Sequence, residues 1–190
     1  GLSDEDGAMT FAYQWQSSTD GSTFQSIVNE TDVSYNIPSD QSMVDKYLQV
    51  QVTTTDSRGG STVLTSASQV IANVEDEATG TVTVDGTVQE GATVTANTSG
   101  LSDEDGAMTF AYQWQSSTDG STFQSIVNET DVSYNIPSDQ SMVDKYLQVQ
   151  VTTTDSRGGS TVLTSASQVI ANVNDAPTVA NPINDVTVIE

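Results

Sequence analysis

Acidic side chains are the ones in this chain whose number and spacing could do chemistry. There are 26 Asp and Glu against 4 Lys and Arg, giving a formal charge of -22. They gather in short stretches: Ser102-Asp103-Glu104-Asp105-Gly106, Asp155-Ser156-Arg157-Gly158-Gly159 and Glu75-Asp76-Glu77. Carboxylates crowded in this way repel one another. A hard divalent cation such as Ca²⁺, which takes about six to eight oxygen ligands, would relieve that repulsion. The competing reading is a set of solvated turns on an aggregation-resistant surface, since net charge speaks to solubility and not to fold. Asp-Glu-Asp-Gly is too short for an EF-hand loop and lacks the bidentate Glu at its twelfth position. Arg157 opens another alternative: as the surface partner of Asp155, in a pair worth at most about 1 kcal/mol, it would leave one ligand fewer.

Much other chemistry is excluded. The chain has no Cys and no His, which removes disulfides, thiolate zinc sites, imidazole ligands and His-based triads. A carboxylate-pair hydrolase needs two acids held at a defined separation in a cleft, and nothing in the sequence selects such a pair. The chain therefore reads as non-enzymatic. Nucleic acid and anionic membrane surfaces are disfavoured, because the cations are Lys46, Arg58 and their copies Lys145 and Arg157. No apolar run approaches the roughly 20 residues of a membrane span, and no signal peptide is visible. Beginning at Gly1 and stopping at Glu190 in mid-pattern, the chain reads as an excerpt of a longer protein. Asn-x-Ser/Thr triplets at Asn29, Asn97 and Asn128 would be glycosylation acceptors in a eukaryotic secretory pathway and chance in a bacterial protein.

The elements that must position the acids come from a repeat. Residues 1 to 74 return letter for letter as residues 100 to 173. An offset of 99 residues is too long for one supersecondary unit of a solenoid and fits a small domain with its own core. Such repetition serves reach, spacing or multivalency better than catalysis.

Read with a period of two, the second copy gives strands at Thr81–Val84, Ala92–Ala96, Phe110–Gln115, Thr122–Val127, Ser133–Ile136 and Tyr146–Val151, with a last one opening at Ser160 and running to about Val173. Asp85-Gly86 and Asp119-Gly120 are hairpin signals. No segment has a helical period. Seven short strands in about 98 residues predict an all-β fold, a tandem of immunoglobulin-like antiparallel β-sandwiches. Trp114 is expected in the core, with Leu147, Val149 and Val151 facing it from the opposite sheet and Phe110 and Tyr112 continuing its stripe. The Tyr146 hydroxyl either braces the turn from Ser138 to Lys145 or points to solvent.

Strand order sets the phase of the repeat. The acidic stretch from Val74 to Thr79 lacks alternation, and its counterpart from Val173 to Thr178 contains Pro177, so both read as linkers. Residues 1–76 are then an immunoglobulin-like repeat missing its first two strands, 77–175 a complete one, and 176–190 the start of a further domain. An incomplete sandwich leaves an edge able to recruit a strand from another chain.

In that strand order the loop with Asp103 and Asp105, the turn with Asp155 and the linker Glu75-Asp76-Glu77 converge at one end of the sandwich. The preceding repeat would add Asp40 and Asp45 from its far end, and the next seam offers Asn174 and Asp175. A shared cation there would restrict bending between repeats.

Leu-Ser-Asp-Glu-Asp-Gly before Tyr-Gln-Trp-Gln, then Ser-Thr-Asp-Gly-Ser-Thr-Phe and Lys-Tyr-Leu-Gln-Val-Gln-Val-Thr-Thr-Thr-Asp, resemble the bacterial immunoglobulin-like repeats found in tandem in large secreted RTX-type adhesins. Asn174-Asp175-Ala176-Pro177 resembles the junction preceding cadherin-like domains in the same proteins, in shortened form. The resemblance implies a calcium-binding extension module, extracellular or on a bacterial cell surface, whose partners are neighbouring repeats, with a glycan or protein bound by a distant adhesive domain. The alternative is a carbohydrate- or protein-binding site on every repeat, acting by avidity. Exposure of Tyr112 or Tyr134 would favour that alternative.

Overall fold

Strands form every regular element but one 3₁₀ turn among residues 8–177, the residues that the computed structural model describes. The chain divides into two compact units, Gly1–Asp76 and Glu77–Glu190. Of the further domain expected to start at 176, residues 178–190 lie outside the described residues.

Unit 1 contains β1 (Met9–Ser18), β2 (Gln25–Ser26), the 3₁₀ turn Gln41–Met43, β3 (Tyr47–Asp56), β4 (Ser61–Thr65) and β5 (Gln69–Val70). They make one antiparallel sheet in the order β2-β1-β3-β4, with β5 also paired to β3. Unit 2 adds β6 (Thr83–Asp85) and β7 (Thr93–Asn97), followed by β8 (Thr109–Ser117), β9 (Gln124–Ser125), β10 (Ser133–Asn135), β11 (Tyr146–Thr154), β12 (Ser160–Thr164) and β13 (Gln168–Val169). Here there are two sheets: β10-β7-β6, and β12-β11-β8-β9 with β13 also on β11. Unit 2 is an antiparallel sandwich of the immunoglobulin-like kind.

The strict alternation along β11 places Leu147, Val149, Val151 and Thr153 inward, and all four are buried. One expectation fails here. Val149 stands directly opposite Trp114 in the β8–β11 ladder, so these residues flank the indole within its own sheet. The opposite sheet supplies Val94, Ala96 and Tyr134 instead, with Val82 just before β6. In an antiparallel pair, opposed residues share a face, and the alternation gives the face but not the sheet. The final strand is also split. Ser165 is buried, and its hydroxyl accepts the Val149 amide at 3.1 Å where a ladder carbonyl would otherwise do so. This interrupts the edge between β12 and β13. The Tyr146 ring lies over Gly120, where an added Cβ would meet it at 3.0 Å.

The repeat provides an internal control. Trp15 and Trp114 each donate Nε1–H to a carbonyl seventeen residues on, Asp32 and Asp131, at 3.0 Å. Each also packs on a tyrosine, Tyr35 at 5.8 Å and Tyr134 at 5.6 Å between ring centroids. Yet Trp114 is fully buried and Trp15 is half-buried. Ser133-Tyr134-Asn135 is a strand because it pairs with β7, whereas the identical Ser34-Tyr35-Asn36 is not one. The local contacts are the same, and the second sheet makes the difference.

Candidate metal centre

At one end of unit 2, three pieces of chain are bound to each other. The turn after β11 closes by Asp155 N–H donating to the Gly159 carbonyl at 3.1 Å. The Asp155 carboxylate accepts the amides of Arg157 at 2.6 Å and Gly158 at 3.0 Å, which fixes its direction. In the loop before β8, the Asp103 carboxylate accepts the Asp105 amide at 2.8 Å. Gly106, at φ +111°, lets this loop approach Ser156, since a Cβ there would sit 2.9 Å from the Ser156 Oγ. That hydroxyl donates to the Asp105 carbonyl at 2.8 Å and joins the two loops. The incoming chain is tied to the same end: Ala78 N–H donates to Thr161 Oγ1 at 2.9 Å, and Thr79 exchanges backbone bonds with Ser102.

The result is a pair of buried carboxylates. Asp105 is 3% exposed and Asp155 is 7% exposed. An oxygen of one lies within 4.8 Å of an oxygen of the other. The Arg157 guanidinium reaches this pair from the Asp105 side, with Nε 3.8 Å from Oδ1. Asp155 receives the Arg157 backbone amide as well, so Arg157 serves both loops. Two buried carboxylates beside one guanidinium still favour further positive charge, because taking anions out of water is costly unless they are compensated. Oxygen donors suit a hard cation such as Ca²⁺, and no thiolate or imidazole is present for a softer metal. The donor set fits calcium.

The other predicted residues have varied surroundings. Glu77 is exposed at the start of unit 2. Asn174 and Asp175 are exposed at the end of its described part. In unit 1, Glu75 is exposed and Asp76 accepts the Gln41 side chain at 3.4 Å. Asp40 caps the 3₁₀ turn, accepting the Ser42 amide at 2.9 Å, and the Ser42 hydroxyl and amide hold its carboxyl below the ordinary value. Asp45 sits at φ +63° with its amide on the Ile71 carbonyl, which makes its backbone part of the turn into β3.

Sequence reasoning missed Ser156, the link between the two acidic loops, and Glu90, a buried acid that accepts the Gln140 side chain at 3.0 Å. Glu90 precedes Gly91 at φ +72°, and Gln-Glu-Gly was the turn signal that could have drawn attention to it. Asp119, by contrast, is engaged by its own turn. Its carboxylate accepts the Thr122 and Ser121 amides and the Ser117 hydroxyl, each at 2.8 Å, which lowers its pKa to about 2.

The architecture defines an immunoglobulin-like sandwich with an acidic, calcium-compatible end. A family described as a domain of unknown function (DUF8696) matches residues 78–174, and the chain belongs to that family. Among solved structures, the chain is similar to a Ca²⁺-stabilized adhesin that helps an Antarctic bacterium reach out and bind ice, with 16% identity and a TM-score of 0.38 over 88% of this chain and 42% of that one. It is also similar to the FN1–FN3 domains of chicken CNTN1, with 16% identity and a TM-score of 0.30 over 85% of this chain and 57% of that one. The chain thus spans less than two thirds of either structure. No curated protein matches the chain.

Proposed function

We propose that this chain is part of a non-enzymatic extension array of a large bacterial surface adhesin, in which calcium at the start of each complete repeat stiffens the array. Asp105 and Asp155 are the proposed carboxylate ligands from unit 2, and the linker acid Glu75 is proposed to join them. Asp76, Glu77 and Asp103 surround them in the chain. The observation that carries the reading is the buried Asp105–Asp155 pair at the end where Ala78 anchors the incoming chain. Glu75 precedes Ala78 by three residues, a reach of roughly 10 Å. Bound calcium would neutralise these carboxylates and tie the linker to the two loops. The family that the sequence resembles acts outside the cell, and no helix among the described residues is long and apolar enough to cross a membrane.

The aromatic residues support extension over per-repeat ligand binding. Tyr134 is buried against Trp114, and Tyr112 is half-buried against the same core. Neither lies open for a sugar ring. The test is calorimetric titration of the full chain with Ca²⁺, together with X-ray scattering of a chain holding two complete repeats, in calcium and in chelator. Saturable binding that Asp105→Asn and Asp155→Asn together abolish, with a longer particle in calcium, is the expected result. Binding without lengthening would reject stiffening, and absence of binding would reject the site.

A further inference from the structure

We infer that Arg157 is a resident counter-ion that Ca²⁺ must displace, so that this side chain sets how much calcium the site of unit 2 needs; the inference rests on the calcium reading above. The cations of unit 2 are Lys145 and Arg157. Lys145 immediately precedes β11 and the Asp155 turn follows that strand, which puts about 30 Å of extended chain between them. Arg157 is thus the cation at the acidic end. Its Nε stands 3.8 Å from Asp105 Oδ1, and its backbone amide donates to the Asp155 carboxylate at 2.6 Å. One residue therefore touches both buried acids. The Nε–Oδ1 contact is longer than the roughly 2.7–2.9 Å of a charge-assisted hydrogen bond, so the guanidinium is attracted to Asp105 without being locked there. Its side chain is a third exposed while that of Asp105 is fully enclosed, which gives the guanidinium a way out to water.

Formal charge explains the exchange. Two carboxylates with one guanidinium leave a negative charge over, whereas Ca²⁺ in place of the guanidinium balances the pair. Both cations held at once would put like charges side by side in a buried site, where their repulsion is strong. The oxygens of the two acids lie within 4.8 Å of each other, about twice the usual Ca–O length of roughly 2.4 Å, so one ion suits both. A guanidinium is always charged and weakly hydrated, which fits it to a desolvated place that it must also leave. A ligand loses affinity in proportion to the fraction of molecules in which its site is open to it. With Arg157 seated in about nine molecules of ten, the loss is about ten-fold. Arg157 thereby compensates the acids of the ion-free chain and raises the concentration at which calcium takes over. The bond to Asp155 comes from its backbone amide, so replacing the side chain leaves that bond in place.

The experiment titrates calcium chloride into the full 190-residue chain and into its Arg157→Gln variant, follows the amides of Asp105 and Gly158 by NMR, and melts both chains in chelator. Expected for the variant is a calcium affinity at least about ten-fold higher, together with a lower melting temperature in chelator. The two changes oppose each other in sign because one side chain both supports the ion-free site and resists the ion. Arg157→Lys, which keeps a cation at this position, should stay within about three-fold of the unaltered chain. In the unaltered chain, calcium should bring the Arg157 Nε–H into fast exchange with water, a reading that needs no variant. Four results would overturn the inference while leaving the calcium site standing: equal or weaker binding by the Arg157→Gln chain, an unchanged melting temperature in chelator, an equal gain in affinity from Arg157→Lys, or an Arg157 Nε–H that saturating calcium does not move. No saturable shift at Asp105 or Gly158 in any of the chains would remove the calcium reading itself, and the inference with it.

Discussion

Replacing Trp114 by alanine should remove a large part of the stability of unit 2. The indole is fully buried, stacks on Tyr134 and donates to the Asp131 carbonyl. A buried tryptophan hides about 200–250 Å² of surface, an upper bound of roughly 5–6 kcal/mol at about 25 cal/mol per Å². Measured aromatic-to-alanine losses in cores are about 3–5 kcal/mol, with the residual cavity included. A domain of this size is stable by only about 5–15 kcal/mol. The urea midpoint, followed by circular dichroism, should therefore fall by about a fifth or more with the slope unchanged, and the melting temperature by at least about 12 °C. Trp15→Ala tests the cause. It removes the same hydrogen bond and the same tyrosine neighbour, but no second sheet among the described residues covers this indole. Its cost should be less than half as large. A loss under about 1.5 kcal/mol at Trp114, or equal losses at the two sites, would refute the claim that the second sheet supplies the difference.

Three further outcomes follow from the turns and the acidic end. Calcium at 100 times its dissociation constant should stabilise the chain by about 2.7 kcal/mol, read as a rise in melting temperature that Asp155→Asn abolishes; an unchanged rise would remove Asp155 from the ligand set. Gly120→Ala should destabilise unit 2 by about 1–3 kcal/mol in a denaturant titration, because Gly120 lies at φ +72° and an added Cβ would meet the Tyr146 ring at 3.0 Å. The contribution of Asp119 should be fully present above the unfolded-state carboxylate pKa and be lost as pH falls through about 2, because its native pKa is depressed by the Thr122 and Ser121 amides and the Ser117 hydroxyl. Carboxyl NMR should locate that midpoint, and an ordinary carboxylate value would show that the turn bonds do not form in solution.

The fold was largely legible because alternation carries it. Tyr146-Leu147-Gln148-Val149-Gln150-Val151 announces a half-buried strand, and the structure buries its apolar members. Sheet membership was not legible, because Val149 beside Trp114 and Val149 across from it leave the same alternating pattern. The segment Thr122–Val127 shows the limit of local signals: only Gln124–Ser125 pairs, while Ile126 to Glu129 turn, with Asn128 at φ +66°. At the acidic end, the grouping of carboxylates could be read from their spacing. Their burial could not, since it depends on Ser156 binding across loops fifty-one residues apart. The identical Ser34–Asn36 and Ser133–Asn135 state the general reason: where a strand exists only through its partner, no local reading can find it.

The break at Ser165 has a consequence for life in a crowded row of like sequences. The rim of the larger sheet of unit 2 on the β12 side is broken, five residues and then two, while on the other side β9 covers two residues of β8. The smaller sheet is bounded by runs of three. Neighbours sharing one sequence meet at very high local concentration, where a long, flat rim would template its own misassembly into fibres. By turning a serine hydroxyl into the ladder, the fold denies such growth a continuous foothold along the β12 side.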